Sequence, residues 1–459
     1  MTVANAAKEP HRVGRPIWGW MMFDWASQPY FTLLLTFIFG PYFTGVVAPD
    51  DVSGQALWAD MLWMSAIPIA LLAPVLGAIA DVSGPRKPWI AGFSLLYILG
   101  ACGTWLAIPD APSVWPILLF FAIGLIGAEF ATIFSNAMLP DLGPRRAIGR
   151  ISGSGWAIGY LGGVAALALC LAFLAENASG RTLIGTAPLF GLDPELREGT
   201  RAVGPFSALW YFVFMIPFFL WVPDAPRRRG SAGALHRGLA TLAASLRSLP
   251  QRRSFAVFLA ASMFYRDALV GIFAFGAIYA GGVLGWSTIQ IGVFGILAAV
   301  VGAIGAFLGG RADSARGPRP VIAGSVLMLI LLTLGVVLTT PSRVLGFAVA
   351  EGSALPDIAY YGIGALIGAA GGAMQAASRT MLTDQATRDR MTEAFGLYAL
   401  TGKATAFLAP LLISLITTAT ESQRWGVTPI IALFFLGFVL LYWVTPGKEA
   451  ETDPHAVVS

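Results

Sequence analysis

Long apolar runs alternate with short polar segments along nearly the whole chain. An α-helix needs roughly 20 apolar residues to cross about 30 Å of hydrocarbon. Twelve runs come close to or exceed that length, at approximately residues 18–46, 57–80, 88–108, 114–139, 151–175, 205–222, 254–284, 288–310, 320–338, 355–382, 394–418 and 425–444. The runs lack the roughly ten-residue alternating pattern of a membrane β-barrel. The pattern therefore predicts an all-α integral membrane protein with twelve transmembrane helices.

Composition agrees with this pattern and narrows the function classes. The 459 residues are 56% hydrophobic and only 12% charged, whereas a soluble chain has about 25% charged residues. A soluble enzyme, a nucleic-acid binder and a disulfide scaffold are therefore poor descriptions. The only two cysteines, Cys102 and Cys170, both lie in apolar runs, where a thiol is ordinarily a packing residue.

The basic residues orient the helices. With the N-terminus in the cytoplasm, 22 of the 29 lysines and arginines fall in cytoplasmic segments, Arg379 among them, five fall in external loops, and Arg266 and Lys403 lie within spans. Such an excess follows the positive-inside rule. We therefore expect both termini to be cytoplasmic, and the net charge of +4 needs no nucleic-acid partner.

The chain repeats weakly at half its length. Residues 81–92 resemble residues 313–324, and Met138-Leu-Pro-Asp141 resembles Met381-Leu-Thr-Asp384. Parallel repeats of six spans are typical of transporters whose site lies at mid-membrane between the halves. We therefore expect two pseudo-symmetric six-helix bundles, residues 1–223 and 254–459, joined by a cytoplasmic Arg-rich linker at 224–253.

The segment after the second span carries a recognisable loop. Gly77-Ala-Ile-Ala-Asp81-Val-Ser-Gly84-Pro-Arg86 resembles the signature Gly-x-x-x-Asp-(Arg/Lys)-x-Gly-x-(Arg/Lys) of the major facilitator superfamily, although Val82 replaces the usual basic residue. In that superfamily the loop aspartate latches one transport state by meeting the end of a helix from the other half. The resemblance implies this role for Asp81, and Gly84 also suits a tight turn. The second copy of the loop consists of Asp313, Gly317 and Arg319.

Four further stretches resemble a narrower family. These are Phe23-Asp24-Trp25-Ala26-Ser27, Asn136-Ala-Met-Leu-Pro140-Asp141, the stretch 152–163 and the stretch 396–403. Together they are similar to the autophagy-linked vacuolar amino-acid effluxers and their bacterial relatives, a branch of the major facilitators. The resemblance implies efflux of neutral amino acids or similar solutes across a bacterial inner membrane. Ser27 stands where that family more often has Asn.

Charged residues inside the spans are the strongest functional signal. A charge at the centre of a membrane helix costs about 2.5–3.5 kcal/mol on insertion scales, so it ordinarily faces a cavity or a partner. Glu129, Arg266 and Lys403 lie roughly 15–18 Å from the cytoplasmic ends of their spans at 1.5 Å per residue. The complete set predicted to line the pathway is Asp24, Trp25, Glu129, Trp156, Tyr160, Arg266, Asp267, Gln375, Tyr398 and Lys403.

Two interpretations of these charges remain open. They could bind substrate and protons, or they could only pair with one another between helices. Arg266 and Asp267 are adjacent and point about 100° apart, so at most one of them faces the cavity squarely. All three histidines lie outside the spans, so any proton relay must use carboxylates, with Glu129 and Asp24 as candidates.

The sequence therefore predicts a monomeric secondary transporter that exports a small zwitterion, such as a neutral amino acid, through the lipid bilayer. Protons are a candidate coupling ion. We expect no cofactor, no metal and no enzymatic activity, because no phosphate-binding loop or His/Cys cluster appears. The alternatives are a lysolipid or drug exporter of the same fold, a membrane-embedded enzyme and a non-transporting receptor.

Overall fold

The computed structural model describes residues 14–49, 51–109, 111–177, 179–226, 234–286 and 288–445. Within these residues, eleven helical segments are long and apolar enough to cross a membrane. A further helix, Leu355–Gln385, has 31 residues and packs among the others. It completes the twelve helices that the hydrophobic pattern predicts.

The twelve helices are numbered in chain order. They are α1 (Arg15–Val47), α2 (Asp51–Ser83), α3 (Lys87–Gly103), α4 (Trp115–Asn136), α5 (Arg145–Phe173), α6 (Val203–Trp221), α7 (Arg253–Gly282), α8 (Thr288–Arg316), α9 (Pro318–Leu338), α10 (Leu355–Gln385), α11 (Met391–Ala404 and Leu408–Thr420) and α12 (Pro429–Leu441). Helices α3, α4, α9, α10 and α12 carry a proline in the first turn, where a missing N–H costs no hydrogen bond.

Smaller elements connect the spans. A linker helix, Ala234–Ser248, packs against α2. The strands β1 (Arg343–Val344) and β2 (Phe347–Ala348) form an antiparallel hairpin between α9 and α10. Short one-turn helices occur at Thr104–Leu106, Leu139–Leu142, Leu189–Gly191, Glu198–Arg201, Arg388–Arg390 and Gln423–Gly426.

Helix α1 is not a uniform α-helix. It is α-helical over Arg15–Pro29, then forms π-helical turns over Tyr30–Phe37 and Phe43–Val47. Pro29 lies inside the helix and removes a backbone donor from the hydrogen-bond ladder. The Thr36 hydroxyl donates to the Phe31 carbonyl at 2.8 Å, which is the five-residue spacing of the π turn.

Helix α11 is broken where the sequence predicts one continuous span. Its two parts end at Ala404 and begin at Leu408. Pro410 explains the break, because a proline ring clashes with the carbonyl four residues earlier and supplies no N–H. The span predicted over residues 394–418 is therefore present, and it is interrupted at residues 405–407.

The halves of the molecule meet along two seams of small residues. Helices α1–α6 pack mainly with one another, as do α7–α12, and the seams join α2 to α11 and α5 to α8. At the first seam a Cβ on Gly396 would lie 2.5 Å from the Ala73 carbonyl oxygen. At the second seam a Cβ on Gly153 would lie 2.7 Å from the Gly310 Cα. Glycine therefore allows the backbones to touch.

Both seams lie toward one end of the bundle, which we name the basic end because the arginine-rich loops extend from it. Toward the other end α2 and the second part of α11 carry exposed side chains. Trp63 and Leu71 of α2 are 55% and 64% exposed, and Phe407 and Leu415 of α11 are 63% and 56% exposed. The halves are thus in close backbone contact at the basic end.

Candidate functional site

An ion pair joins the two halves near the middle of the membrane. The Lys403 Nζ of α11 donates to Glu129 Oε1 of α4 at 2.8 Å. The two side chains are 28% and 22% exposed, so the pair is accessible rather than sealed in the core. The structure thus brings together two of the charges that the sequence places in one layer.

Arg266 lies beside this pair on α7. Its Nη1 donates to the Tyr398 carbonyl oxygen at 2.8 Å, and its guanidinium carbon lies 4.0 Å from the centre of the Tyr398 ring. A Cβ on Gly402 would lie 2.7 Å from the guanidinium, so only glycine leaves room there. No carboxylate of the described residues forms an ion pair with Arg266.

Asp267 points away from its neighbour in sequence, as the 100° helical spacing predicts. It is 4% exposed, and its Oδ2 accepts the Ala409 backbone N–H at 3.0 Å. The other carboxylate oxygen has no hydrogen-bond partner among the described residues. Of the adjacent pair, Arg266 contacts the first part of α11 and Asp267 contacts the second part.

A second ion pair between the halves lies closer to the basic end. Nη1 of Arg379 on α10 donates to Asp24 Oδ2 on α1 at 3.1 Å. The count of basic residues placed Arg379 in the cytoplasmic segment after the tenth span, and this is wrong. Helix α10 continues to Gln385, so Arg379 is helical and only 4% exposed.

The surroundings of Arg379 come from three helices of the other half. It donates to the Asn136 Oδ1 at 3.1 Å, the Ser152 hydroxyl at 3.1 Å and the Ser152 carbonyl at 2.7 Å. Its guanidinium carbon lies 5.1 Å from the ring centres of both Trp20 and Trp156, which is cation–π distance. Three of these partners belong to the motif stretches of the sequence analysis, namely Asp24, Asn136 and Ser152. Their place in those stretches was the sequence feature that could have indicated this site.

The remaining predicted pathway residues separate into two places. The Gln375 amide donates to the Tyr160 hydroxyl at 3.2 Å and forms another contact between the halves. Trp25 instead stacks on Trp210 of α6, with ring centres 5.5 Å apart. The structure thus groups Trp156, Tyr160 and Gln375 along the α5–α10 contact and places Trp25 within the first half.

A polar stripe that sequence reasoning missed leads away from Asp24. Gln28, Thr32 and Thr36 follow it at intervals of four residues on α1, and all are partly or fully exposed. The Gln28 amide donates to the Thr32 hydroxyl at 3.5 Å. Gln28 and Thr32 lie against Gly163 of α5, so the polar side chains continue from the Asp24–Arg379 pair along the contact between α1 and α5.

The loop after α2 meets the other half at the basic end. Asp81 Oδ1 and Oδ2 accept the backbone N–H groups of Thr392 and Glu393 at 3.2 and 2.9 Å. These donors belong to the first turn of α11, where a carboxylate is favoured by the helix dipole. Arg86 donates to Asp81 at 3.2 Å and to the Thr392 hydroxyl at 2.8 Å.

Two glycines of this loop are required by its geometry. Gly84 has φ 98°, a left-handed conformation that favours glycine. A Cβ on Gly77 would lie 2.6 Å from the Thr392 carbonyl oxygen. The loop can therefore contact α11 only with these residues in place.

The second copy of the loop makes different contacts. Asp313 is 3% exposed and lies against Gly149 of α5, while the neighbouring Ser314 hydroxyl accepts the Arg150 N–H at 2.9 Å. Arg319 donates to the Leu441 and Tyr442 carbonyls of its own half, and Gly317 has φ 85°. The two copies of the loop are therefore similar in sequence but make different hydrogen bonds.

The described residues contain no group of three or more His, Cys, Asp or Glu side chains placed to hold a metal. What the arrangement offers is a pair of cations, one carboxylate and an aromatic ring in an accessible layer. Such a set can contact both charges of a small zwitterionic solute.

Comparison with known proteins supports this architecture. The uncharacterized MFS-type transporter YxiO of Bacillus subtilis (strain 168) is 24% identical over 439 residues, covering 95% of both chains. Autophagy-related protein 22 of Yarrowia lipolytica (strain CLIB 122 / E 150) is 24% identical over 330 residues, which are 66% of this chain and 52% of the fungal protein. The chain thus spans about half the length of this fungal relative.

Solved structures of major facilitators have the same fold. The proton:xylose symporter XylE aligns with a TM-score of 0.68 at 14% identity, covering 94% of this chain and 95% of XylE. FucP in its outward conformation also aligns with a TM-score of 0.68, at 15% identity, covering 94% of this chain and 98% of FucP. The predicted twelve-helix major facilitator fold is confirmed.

The family predicted from the motif stretches is also confirmed. Residues 144–452 match the family described as Vacuole effluxer Atg22 like, and this region contains two of the four stretches. The chain is a multi-pass membrane transporter of the major facilitator superfamily and belongs to the Atg22-like vacuole effluxer family.

Proposed function

We propose that this protein exports a small zwitterion, with neutral amino acids as the first candidates, by alternating access. The observation that carries the proposal is the Lys403–Glu129 pair, which joins the two halves beside Arg266. A carboxylate of the solute would bind Lys403 and Arg266, and its ammonium group would bind Glu129. A zwitterion supplies both charges of the pair, so its arrival separates the halves without leaving a buried charge unpaired.

The proposed direction of transport, out of the cytoplasm, rests on the charge of the loops. The basic end is the cytoplasmic end under the positive-inside rule, and α1 begins and α12 ends there. The proposal is therefore that both termini lie in the cytoplasm of a bacterial cell and that the protein lies in its inner membrane. A conformation closed at that end, as the contacts of Asp81 and Arg379 make it, separates the solute site from the cytoplasm.

Protons are the proposed coupling ion. Glu129 and Asp24 each pair with a cation from the opposite half, at 2.8 and 3.1 Å. Protonation of either carboxylate removes the attraction that closes its pair. Proton uptake from the outside would therefore favour the conformational change that returns the site to the cytoplasm.

A reconstituted transport assay tests the proposal. Purified protein in proteoliposomes is given a panel of labelled amino acids, with and without a pH gradient, and Lys403→Ala serves as the matched inactive control. We expect flux of at least one neutral amino acid, stimulated by the gradient. Flux confined to lysophospholipids or cationic drugs would favour the alternative exporter, and binding without flux would favour a receptor.

A further inference from the structure

Two adjacent residues of α7 hold the two parts of the broken helix α11. Arg266 donates to the Tyr398 carbonyl in the first part, and Asp267 accepts the Ala409 N–H in the second part. The signs suit the helix dipole, because a cation lies toward the C-terminal end of one segment and an anion lies at the N-terminus of the next. Lys403 is the penultimate residue of the first part, immediately before the break.

The second part of α11 has no cap of its own. Its first turn exposes backbone N–H groups that need an acceptor, and the residue at the capping position, Phe407, makes no side-chain hydrogen bond. Asp267 reaches the second residue of that helix from α7. It therefore takes the place that Ser, Asp or Asn ordinarily fills at a helix N-terminus.

We propose that Asp267 is a positioning residue. It caps the second part of α11 from α7 and thereby fixes Lys403 opposite Glu129. The inference rests on the proposed function in taking the Lys403–Glu129 pair as the solute site. Asp267 itself is 4% exposed and faces α11. It acts on the solute only through the geometry of the break.

Pro410 is the reason that the cap is needed. With alanine at this position the break at 405–407 could close into continuous helix, and the Ala409 N–H would then bond to a carbonyl of its own helix. The two residues are therefore energetically coupled, and a double-mutant cycle measures that coupling.

The test combines distance measurements with kinetics. Spin labels at Met64→Cys on α2 and Leu415→Cys on α11, in a chain whose two native cysteines are replaced, report the opening between these helices. We expect Asp267→Ala to broaden the distance distribution and to raise the KM for L-leucine efflux about tenfold. Asp267→Asn should leave both readouts within twofold of the parent, since Asn caps as well as Asp.

The controls separate capping from charge. In a Pro410→Ala chain, Asp267→Ala should no longer change the distance distribution. Asp357→Ala, which removes an aspartate of α10 that accepts the Trp286 N–H, should not change it either. Asp267→Asn that behaves like Asp267→Ala, or a Pro410→Ala change that fails to suppress the effect, would overturn the proposal.

Two outcomes remain decisive if parts of the experiment fail. If Asp267→Ala does not fold, the pH profile of Asp267→Asn still decides, because a cap predicts an unchanged profile and a proton-binding role predicts its loss. If L-leucine is not carried, the transport arm uses another amino acid of the panel that is carried, and if none is carried the amino-acid proposal fails. The distance arm continues to test the capping role independently.

Discussion

Arg379 and Asp24 form an ion pair of 3.1 Å that connects α10 to α1 across the two halves. Both partners are largely buried, with side-chain exposures of 5% and 14%, and tryptophans face the guanidinium on two sides. Opening of the basic end must separate this pair. We therefore propose that Arg379 acts as an inner gate, between the central charges and the loop contacts of Asp81.

Asp24→Asn should weaken the closed state. The change leaves the Arg379 cation buried without its charge partner, which costs about 3–5 kcal/mol for buried pairs. Spin labels at Ser83→Cys and Arg388→Cys should report a longer distance at the basic end. Asp60→Asn is the control, because Asp60 is exposed at the opposite end of α2 and accepts the indole N–H of Trp63 on its own helix. An unchanged distance with an unchanged melting temperature in Asp24→Asn would contradict the gate.

Asp81→Asn should shift the balance between the two end states without abolishing solute binding. The Asp81 carboxylate accepts two N–H groups at the start of α11, and a charge at that position contributes up to about 2 kcal/mol. The expected population change is up to about 30-fold, measured by the same labels. Asp60→Asn, at the opposite end of α2, should leave the populations alone. Equal populations in both variants would remove the latch role.

Gly396→Ala should disrupt the seam between α2 and α11. The added Cβ would lie 2.5 Å from the Ala73 carbonyl oxygen, so one backbone must move. We expect a lower melting temperature or a shift away from the closed basic end. Gly92→Ala provides the contrast, because nothing lies within 4 Å of that position and alanine favours helix by about 1 kcal/mol. Matching melting curves for the two variants would argue against a tight seam.

Glu129→Gln and Lys403→Ala should fail in different ways. Glu129→Gln keeps a polar partner for Lys403 but cannot exchange a proton, so efflux should lose its response to a pH gradient while solute exchange continues. Lys403→Ala removes a cation for the solute carboxylate and should abolish binding. Thermal stability separates this from a purely structural network, in which losing one partner would lower the melting temperature. Variants with normal melting, full transport and normal pH response would exclude both interpretations.

Single-cysteine labelling should place the two largest loops on opposite sides of the membrane. Leu183, which is 75% exposed, follows α5 and should react from outside. His236, on the exposed side of the linker helix, should react only after the membrane is permeabilised. Labelling of Leu183→Cys from the cytoplasmic side alone would reverse the proposed orientation.

The number of helices and the central charges could be predicted because they depend on local rules. Hydrophobic length determines the spans, and the cost of burying a charge marks Glu129, Arg266 and Lys403 as partners. The contact between Asp81 and the start of α11 follows the expectation from the signature loop in its geometry. Its role in the transport cycle stays a prediction, as do the exact boundaries of the two halves and the linker.

The rest depended on information that a hydropathy pattern does not contain. Arg379 lies three residues before the predicted end of its span, and the count of basic residues therefore assigned it to the cytoplasmic loop. In the structure the helix continues, and three helices of the other half surround the side chain. The break in α11 followed from Pro410, but whether a membrane proline bends or interrupts a helix depends on neighbours such as Asp267. These features are properties of packing between helices distant in sequence.

The backbone contacts at Gly396 and Gly153 also bear on how well the closed state insulates the membrane. Helices that touch through their main chains leave no space there for a connected file of water, since each molecule needs a void of about 10–15 Å³. Without such a file, protons have no continuous route along the seams by hopping between water molecules. The state that is closed at the basic end should therefore hold the transmembrane potential, and an alanine that wedges a seam apart should let that potential decay.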